Sequence, residues 1–201
     1  MLDLALILAL SETCAPTVSP QTMAAVAYAE SRFNPFAIGV NGSVALKRQP
    51  RTKPEAVGIA RELIAGGASI DLGLAQINSA NLGWLNLTIE EAFEPCRNLA
   101  AASVVLRHGY RPLSSAPTDR QAALRAALSR YNTGHPERGL RNGYVARVER
   151  AASDLSLLPH HPAASRPAAP AIERQAASWD VFGRRDERQA AALLPTVWST
   201  K

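Results

Sequence analysis

The sequence predicts a mainly α-helical domain. Helix start and stop signals recur along it, and the apolar residues between them fall at the spacing of one helical face. No run alternates apolar and polar residues in the manner of a half-buried strand. Alanine, the strongest helix former, is abundant. A chain of 201 residues can build one domain with a real core. Apolar content of 47% with 19% charged residues suits a soluble globular protein, and 5% aromatic residues argues against a large β-sandwich.

The elements follow in order. MLDLALILALSETCAP contains an apolar run of signal-peptide length, but it lacks a basic start, carries Asp3 and offers no clear cleavage site. Leu2, Leu6 and Leu10, or Leu4 and Leu8, suit a first core helix, and that is the reading taken. Ser19-Pro20 starts the next helix and Asn34-Pro35 stops it, which predicts a helix from about Pro20 to about Phe33. A Gly/Asn/Pro-rich loop leads to Thr52-Lys53-Pro54-Glu55, which opens a helix through Val57, Ala60 and Ile64 to Gly66-Gly67. Residues 71–87 read as irregular, and Thr88 caps a short turn. Pro95 begins a helix with Leu99, Ser103 and Leu106 on one face, ending near Gly109. Further helices are expected from Asp119 to about Tyr131, stopped by Asn132-Thr133-Gly134, and from Tyr144 to about Leu157, with Val145, Val148 and Ala152 inward. The compact domain is therefore assigned to residues 1–157. Residues 158–201 read as a Pro/Ala-rich linker and tail whose apolar islands, SWDVFGR and LLPTVW, pack back or dock on a partner.

Charge and ligand chemistry exclude several classes. A net charge of +5 and pI ≈ 9.7 suit an anionic polymer, though solubility alone explains them. No dense Lys/Arg run with interleaved aromatics points to nucleic acid. There is no phosphate-cradling glycine loop, no CxxC and no Cys/His cluster, so neither a cofactor nor a metal is expected. His160-His161 belongs to the linker. Nothing approaches membrane-spanning length. Cys14 and Cys96 are either free core thiols or one disulfide closing a loop of about 80 residues. The disulfide would require an oxidising compartment.

One residue looks misplaced. On the second helix Met23, Val26, Ala27 and Glu30 form a single i, i+3, i+4, i+7 stripe, so a carboxylate projects from an apolar face near the helix C-terminus. Desolvation and the negative end of the helix dipole both raise a carboxyl pKa there. A carboxyl that is neutral near neutral pH can act as a general acid. The competing reading is a wet stripe edge with Glu30 paired to Arg32 or a distant base.

Three segments then combine: AESRFNP around Glu30, GLAQIN from Gly73 to Asn78, and RYNTG from Arg130 to Gly134 followed by NGYV from Asn142 to Val145. In this order and at these spacings the chain resembles the goose-lysozyme-like lytic transglycosylases, over roughly Leu4 to Leu157. Within them it is most similar to those that accompany type IV secretion and conjugation systems. Cys14 and Cys96, the latter in an AFEPC context, fall where such members carry cysteines, so the resemblance implies a disulfide. It also implies a lysozyme-like helical fold with a catalytic cleft, Glu30 as the single catalytic acid and base, and peptidoglycan glycan strands as substrate. The products would be 1,6-anhydromuramoyl ends. Ser31 would bond near the acid or the sugar, and Gln76 and Asn78 would sit on a loop beside the cleft, Gln76 reaching sugar or Glu30. Tyr131 would bring a hydroxyl near Glu30, Asn132 an amide for the acetamido group, and Tyr144 would close the far wall. The implied setting is the periplasm, with secretion or conjugation components as partners through residues 158–201.

The residues taken singly permit plainer roles. Gln76 and Asn78 can bond loop backbone, Tyr131 can be a core ring, and Asn132-Thr133-Gly134 can be a helix stop. Asp71, the one nearby candidate for a second acid, reads as structural, holding loop amides. Two functional rivals stand beside the transglycosylase: a hydrolytic lysozyme of the same fold, in which Asp71 positions a water, and a non-catalytic wall-binding or assembly protein.

Overall fold

The structure, a computed structural model, describes residues 1–42, 46–112 and 116–157. The linker, the His160-His161 pair and the docking islands expected over 158–201 lie outside the described residues. Eight α-helices and a small three-stranded sheet make up the described part.

Helix α1 (Leu4–Cys14) is the expected first helix, and Asp3 caps it by accepting from the Leu6 amide at 2.8 Å. Helix α2 (Pro20–Ser31) starts at the proline, but Ser19 does not cap it: its hydroxyl donates to Gln21 Oε1 at 2.6 Å instead. The helix also stops before the proline signal. Arg32 and Phe33 both adopt left-handed backbone, with φ of 55° and 63°, and turn the chain back on itself. The Phe33 carbonyl then accepts from the Leu2 amide at 2.9 Å.

The sequence reading expected no strand, and the structure corrects it. Strands β1 (Ile38–Val40), β2 (Ile70–Leu72) and β3 (Ile77–Asn78) pair antiparallel in the order β1-β2-β3, with Gly39 opposite Asp71 and Asp71 opposite Asn78. Segments of two or three residues carry too little alternation to read, and β2 pairs with a strand that α3 (Lys53–Ala65) separates from it in sequence. The remaining helices are α4 (Ile89–Ala92), α5 (Pro95–Gly109), α6 (Pro117–Thr133), α7 (Arg138–Arg141) and α8 (Tyr144–Asp154). Helix α4 opens on a full capping box between Thr88 and Glu91. Gly134 ends α6 with φ of 70°, the left-handed cap that favours glycine. The four-residue α7 has no sequence period long enough to announce it. It docks where the buried Ser129 hydroxyl accepts from the Gly139 amide at 2.8 Å and donates to the His135 carbonyl at 2.6 Å.

Helix α2 lies at the centre, packed on α1 and α8, while α5 packs on α1 and α6. Met23, Ala24, Val26 and Ala27 of α2 join Ile7, Leu99, Leu106, Leu124, Leu128, Val145 and Val148 in one core. Among the described residues no helix is long and apolar enough to cross a membrane. Cys14 and Cys96 form a disulfide that ties the end of α1 to the start of α5, with Cα atoms 5.3 Å apart.

The disulfide closes a loop with a sequence separation of 82. In the chain-entropy picture that is worth about 4 kcal/mol. The double variant Cys14→Ser/Cys96→Ser should therefore melt well below the parent, and adding reductant should lower the parent's melting temperature but not the variant's.

Candidate active site

Glu30 is the penultimate residue of α2, half-buried, and continues the stripe whose other members, Met23, Val26 and Ala27, are fully buried. Tyr144, the first residue of α8, comes to meet it. The phenol donates to Glu30 Oε1 at 2.5 Å. Burial pushes the Glu30 carboxyl from 4.5 up to about 7, the Tyr144 hydrogen bond and the Arg147 charge oppose the rise, and the Asp71 charge adds to it. The Tyr144 and Tyr131 phenols are both pushed well above their ordinary pKa, first by burial and then by the Glu30 charge. Both therefore stay protonated donors at neutral pH. A carboxyl that titrates near neutrality beside a fixed phenol can give a proton and take one back.

Tyr131, near the end of α6, donates to the Ala75 carbonyl at 2.6 Å and not to Glu30, although it lies within range of the Glu30 charge. Its bond holds the GLAQIN loop. Gln76 there has left-handed backbone, with φ of 51°, and its amide donates to the Gly73 and Ala37 carbonyls at 2.9 and 3.1 Å. Gly39 on β1 makes room for it, since a Cβ at that position would stand 2.7 Å from Gln76 Oε1. Asn78 donates to Asp71 Oδ1 at 2.8 Å, and its Oδ1 accepts from the Ala80 amide at 2.9 Å, opening a single 3-10 turn. Asn41 donates to the other Asp71 oxygen at 3.0 Å. Both oxygens of Asp71 thus accept side-chain amides.

Ser31 and Asn132 stand apart from Glu30 in bonding. The Ser31 hydroxyl donates back to the Ala27 carbonyl at 3.1 Å. Asn132 Oδ1 accepts from Asn142 at 3.0 Å, and Asn142 Oδ1 accepts from the Tyr144 amide at 3.0 Å, so the end of α6 sets the start of α8. Asn142 lies in the NGYV segment, without an assigned role there. Asn98 on α5 had no place in the sequence reading at all. It is 1% exposed, donates to the Leu72 and Ala92 carbonyls at 2.8 and 2.7 Å, and accepts from the Ala75 amide at 2.8 Å. Its signal was available: Asn98 sits at i, i+4, i+8 with Ala102 and Leu106, a polar side chain on an apolar stripe. Among the described residues no group of three or more His, Cys, Asp and Glu side chains could hold a metal ion.

Among the described residues the helical domain brings together one near-neutral carboxyl, two protonated phenols and a polar loop, the groups that acid–base chemistry needs. Residues 8–151 match the family model described as "Transglycosylase SLT domain", and the chain belongs to that family. It is 43% identical over 158 residues to the type IV secretion system protein virB1 of Brucella suis biovar 1 (strain 1330), covering 76% of this chain and 66% of that protein. It is 38% identical over 179 residues to protein virB1 of Agrobacterium fabrum (strain C58), covering 87% and 69%. A third relative, protein virB1 of Rhizobium radiobacter, is 39% identical over 180 residues, covering 87% and 71%. The chain spans just under two thirds of the length of the Brucella relative. No solved structure matches it at a significant level. The expected lysozyme-like family and mainly α fold both stand.

Two outcomes follow from the electrostatics. The Tyr144 hydrogen bond favours the charged form of Glu30, so Tyr144→Phe should raise the Glu30 pKa above about 7, read by carboxyl carbon NMR titration. Glu30 ionises near 4.5 when unfolded and near 7 when folded, so its charge disfavours the native state increasingly from pH 4.5 to about 7. At pH 8 Glu30→Gln should stabilise the fold, by at most about 3 kcal/mol given the partial exposure, and near pH 4 the gain should vanish. Denaturant melts at the two pH values measure it.

Proposed function

We propose that the protein is a peptidoglycan lytic transglycosylase with Glu30 as its one catalytic acid and base. The carrying observation is the Glu30 carboxyl held at about 7 against Tyr144, with Asp71, the other carboxylate felt at the site, engaged through both oxygens.

In this reading the protonated Glu30 gives its proton to the glycosidic oxygen between N-acetylmuramic acid and N-acetylglucosamine. The C1–O bond breaks, and the glucosamine side leaves as an alcohol. The Glu30 carboxylate then takes the proton from the muramoyl C6 hydroxyl as that oxygen attacks C1, closing the 1,6-anhydro ring and restoring the acid. An ordinary glycosidase needs a second carboxylate to act as nucleophile or to activate water. An intramolecular nucleophile removes that need. The exchange of one C1–O bond for another takes place within the substrate, and the part of Glu30 in it is proton transfer alone.

Tyr144 fixes the acid and tempers its pKa, and Tyr131 sets the loop that carries Gln76. Gln76, Asn78, Asn132 and Ser31 are assigned to the walls that hold the sugars. The Brucella relatives are named as type IV secretion system proteins. We assign this chain to the same setting: residues 1–157 open the wall locally in the periplasm, and residues 158–201 serve as linker and docking segment for the apparatus.

Mass spectrometry of peptidoglycan digested with the protein should show anhydromuropeptides, and Glu30→Gln should yield none. Reducing-end products instead would mean hydrolysis, and no products from either protein would mean a non-catalytic wall or assembly role. The yield from the parent should fall as pH rises through about 7, where the acid form is lost.

A further inference from the structure

One charged group beside the site gives and takes no proton in the reaction, although its charge lowers the Glu30 pKa. Arg147 lies one turn beyond Tyr144 on α8 and is exposed. Its guanidinium carbon stands 5.1 Å from the centroid of the Tyr144 ring. Two other arginines of this region form ion pairs: Arg125 with Glu149 at 2.9 Å and Arg141 with Glu137 at 2.9 Å. Among the described residues, no acidic side chain forms an ion pair with Arg147.

Helix stability does not account for it. The first turn of α8 has no acidic residue, and a cation just behind a helix start adds to the positive end of the dipole. An anion arriving there would meet a helix whose first turn holds no acidic residue and a guanidinium without an ion-pair partner among the described residues. The cation–π contact keeps the guanidinium beside the tyrosine, and a guanidinium fork matches a carboxylate with two parallel N–H bonds. The same tyrosine bonds Glu30 through its hydroxyl at 2.5 Å, so the ring joins Arg147 to the reacting centre.

We propose that Arg147 binds a carboxylate of the peptide stem carried by the muramoyl residue at the bond being cleaved, and so selects strands with free stem carboxylates. This rests on the transglycosylase reading, which supplies the substrate. Stem carboxylates are the anions that a glycan strand brings beside the scissile bond, and the sugars themselves cannot use the fork bidentately in the same way. Arg147 is a specificity residue here, not a proton donor.

The test compares two substrates: peptidoglycan strands with free stem carboxylates, and the same strands with those groups converted to primary amides. The parent should favour the free form by about tenfold in kcat/KM, carried by KM, as a charge-assisted pair suggests. Arg147→Gln should abolish that ratio, and Arg147→Lys, a point charge without the fork, should keep part of it. A shift of the Glu30 pKa or a loosened Tyr144 would move both substrates alike, so the ratio isolates the contact. An unchanged ratio in Arg147→Gln, or a parent indifferent to amidation, overturns the proposal while leaving the transglycosylase reading intact. A parent that makes no anhydro product from either substrate overturns that reading, and this inference with it.

Discussion

Joining Tyr144 to Glu30 brings together residues 114 positions apart, and the rest of the architecture serves to keep that bond short. A carboxyl at the end of a buried helix stripe has two poor choices: to ionise without water or to draw water in. The structure gives it a third, a single phenol that donates while burial keeps the group near neutrality. Helix α8 must therefore start at one place against α2, and the Asn132–Asn142–Tyr144 relay fixes that start from the end of α6. The core between α2 and α8 is apolar on both sides, and Tyr144 belongs to it, fully buried, while Glu30 at the end of α2 is half-buried.

A second buried polar group does the corresponding work for the loop. Asn98 satisfies the Leu72 and Ala92 carbonyls and the Ala75 amide from inside α5. Gly73, with φ of 75°, leaves the space for it, because a Cβ there would meet the Asn98 amide nitrogen at 2.5 Å. Tyr131 takes the remaining Ala75 group, its carbonyl, so this one residue is held from both sides. A buried network with every member bonded is rigid. Gln76 and Asn78 leave the loop in fixed directions as a result.

Much of this was legible in the chain, and the divisions are physical. Helix bounds set by strong local chemistry read well: Pro95 to Gly109 matched the α5 bounds, the Thr52 cap opened a helix where expected, and Thr88 caps the four-residue α4 where a short turn was expected. Bounds set by tertiary contacts did not. Helix α2 ends early because Arg32 and Phe33 turn left-handed, a conformation held by surrounding contacts such as the Leu2–Phe33 bond and not by residue type. The strands were invisible because their pairing is long-range. Glu30 stood out as a carboxylate on an apolar stripe, but its hydrogen-bond partner did not. The resemblance implied a Tyr131 hydroxyl near Glu30 and Tyr144 at the far wall. It is Tyr144 that makes the bond, while Tyr131 lies within range of the Glu30 charge. The order of motifs constrains which residues share a cleft, whereas the hydrogen-bond partner depends on where two helix ends meet.

The covalent ring closed by Cys14 and Cys96 divides the site in two. Glu30, Asp71, Gln76 and Asn78 lie inside the ring, whereas Asn98, Tyr131, Tyr144 and Arg147 lie on the chain that continues beyond it. The ring limits how far its own segment can expand, but nothing in it retains α6 to α8 if their packing opens. Partial opening of the oxidised molecule would therefore strip the phenols from Glu30 before the looped half comes apart. Freed of its partners and rewetted, Glu30 would revert to an ordinary ionised carboxylate. Loosening from the C-terminal side would thus return Glu30 to the ordinary carboxylate range and, in the proposed reading, remove the acid from the site.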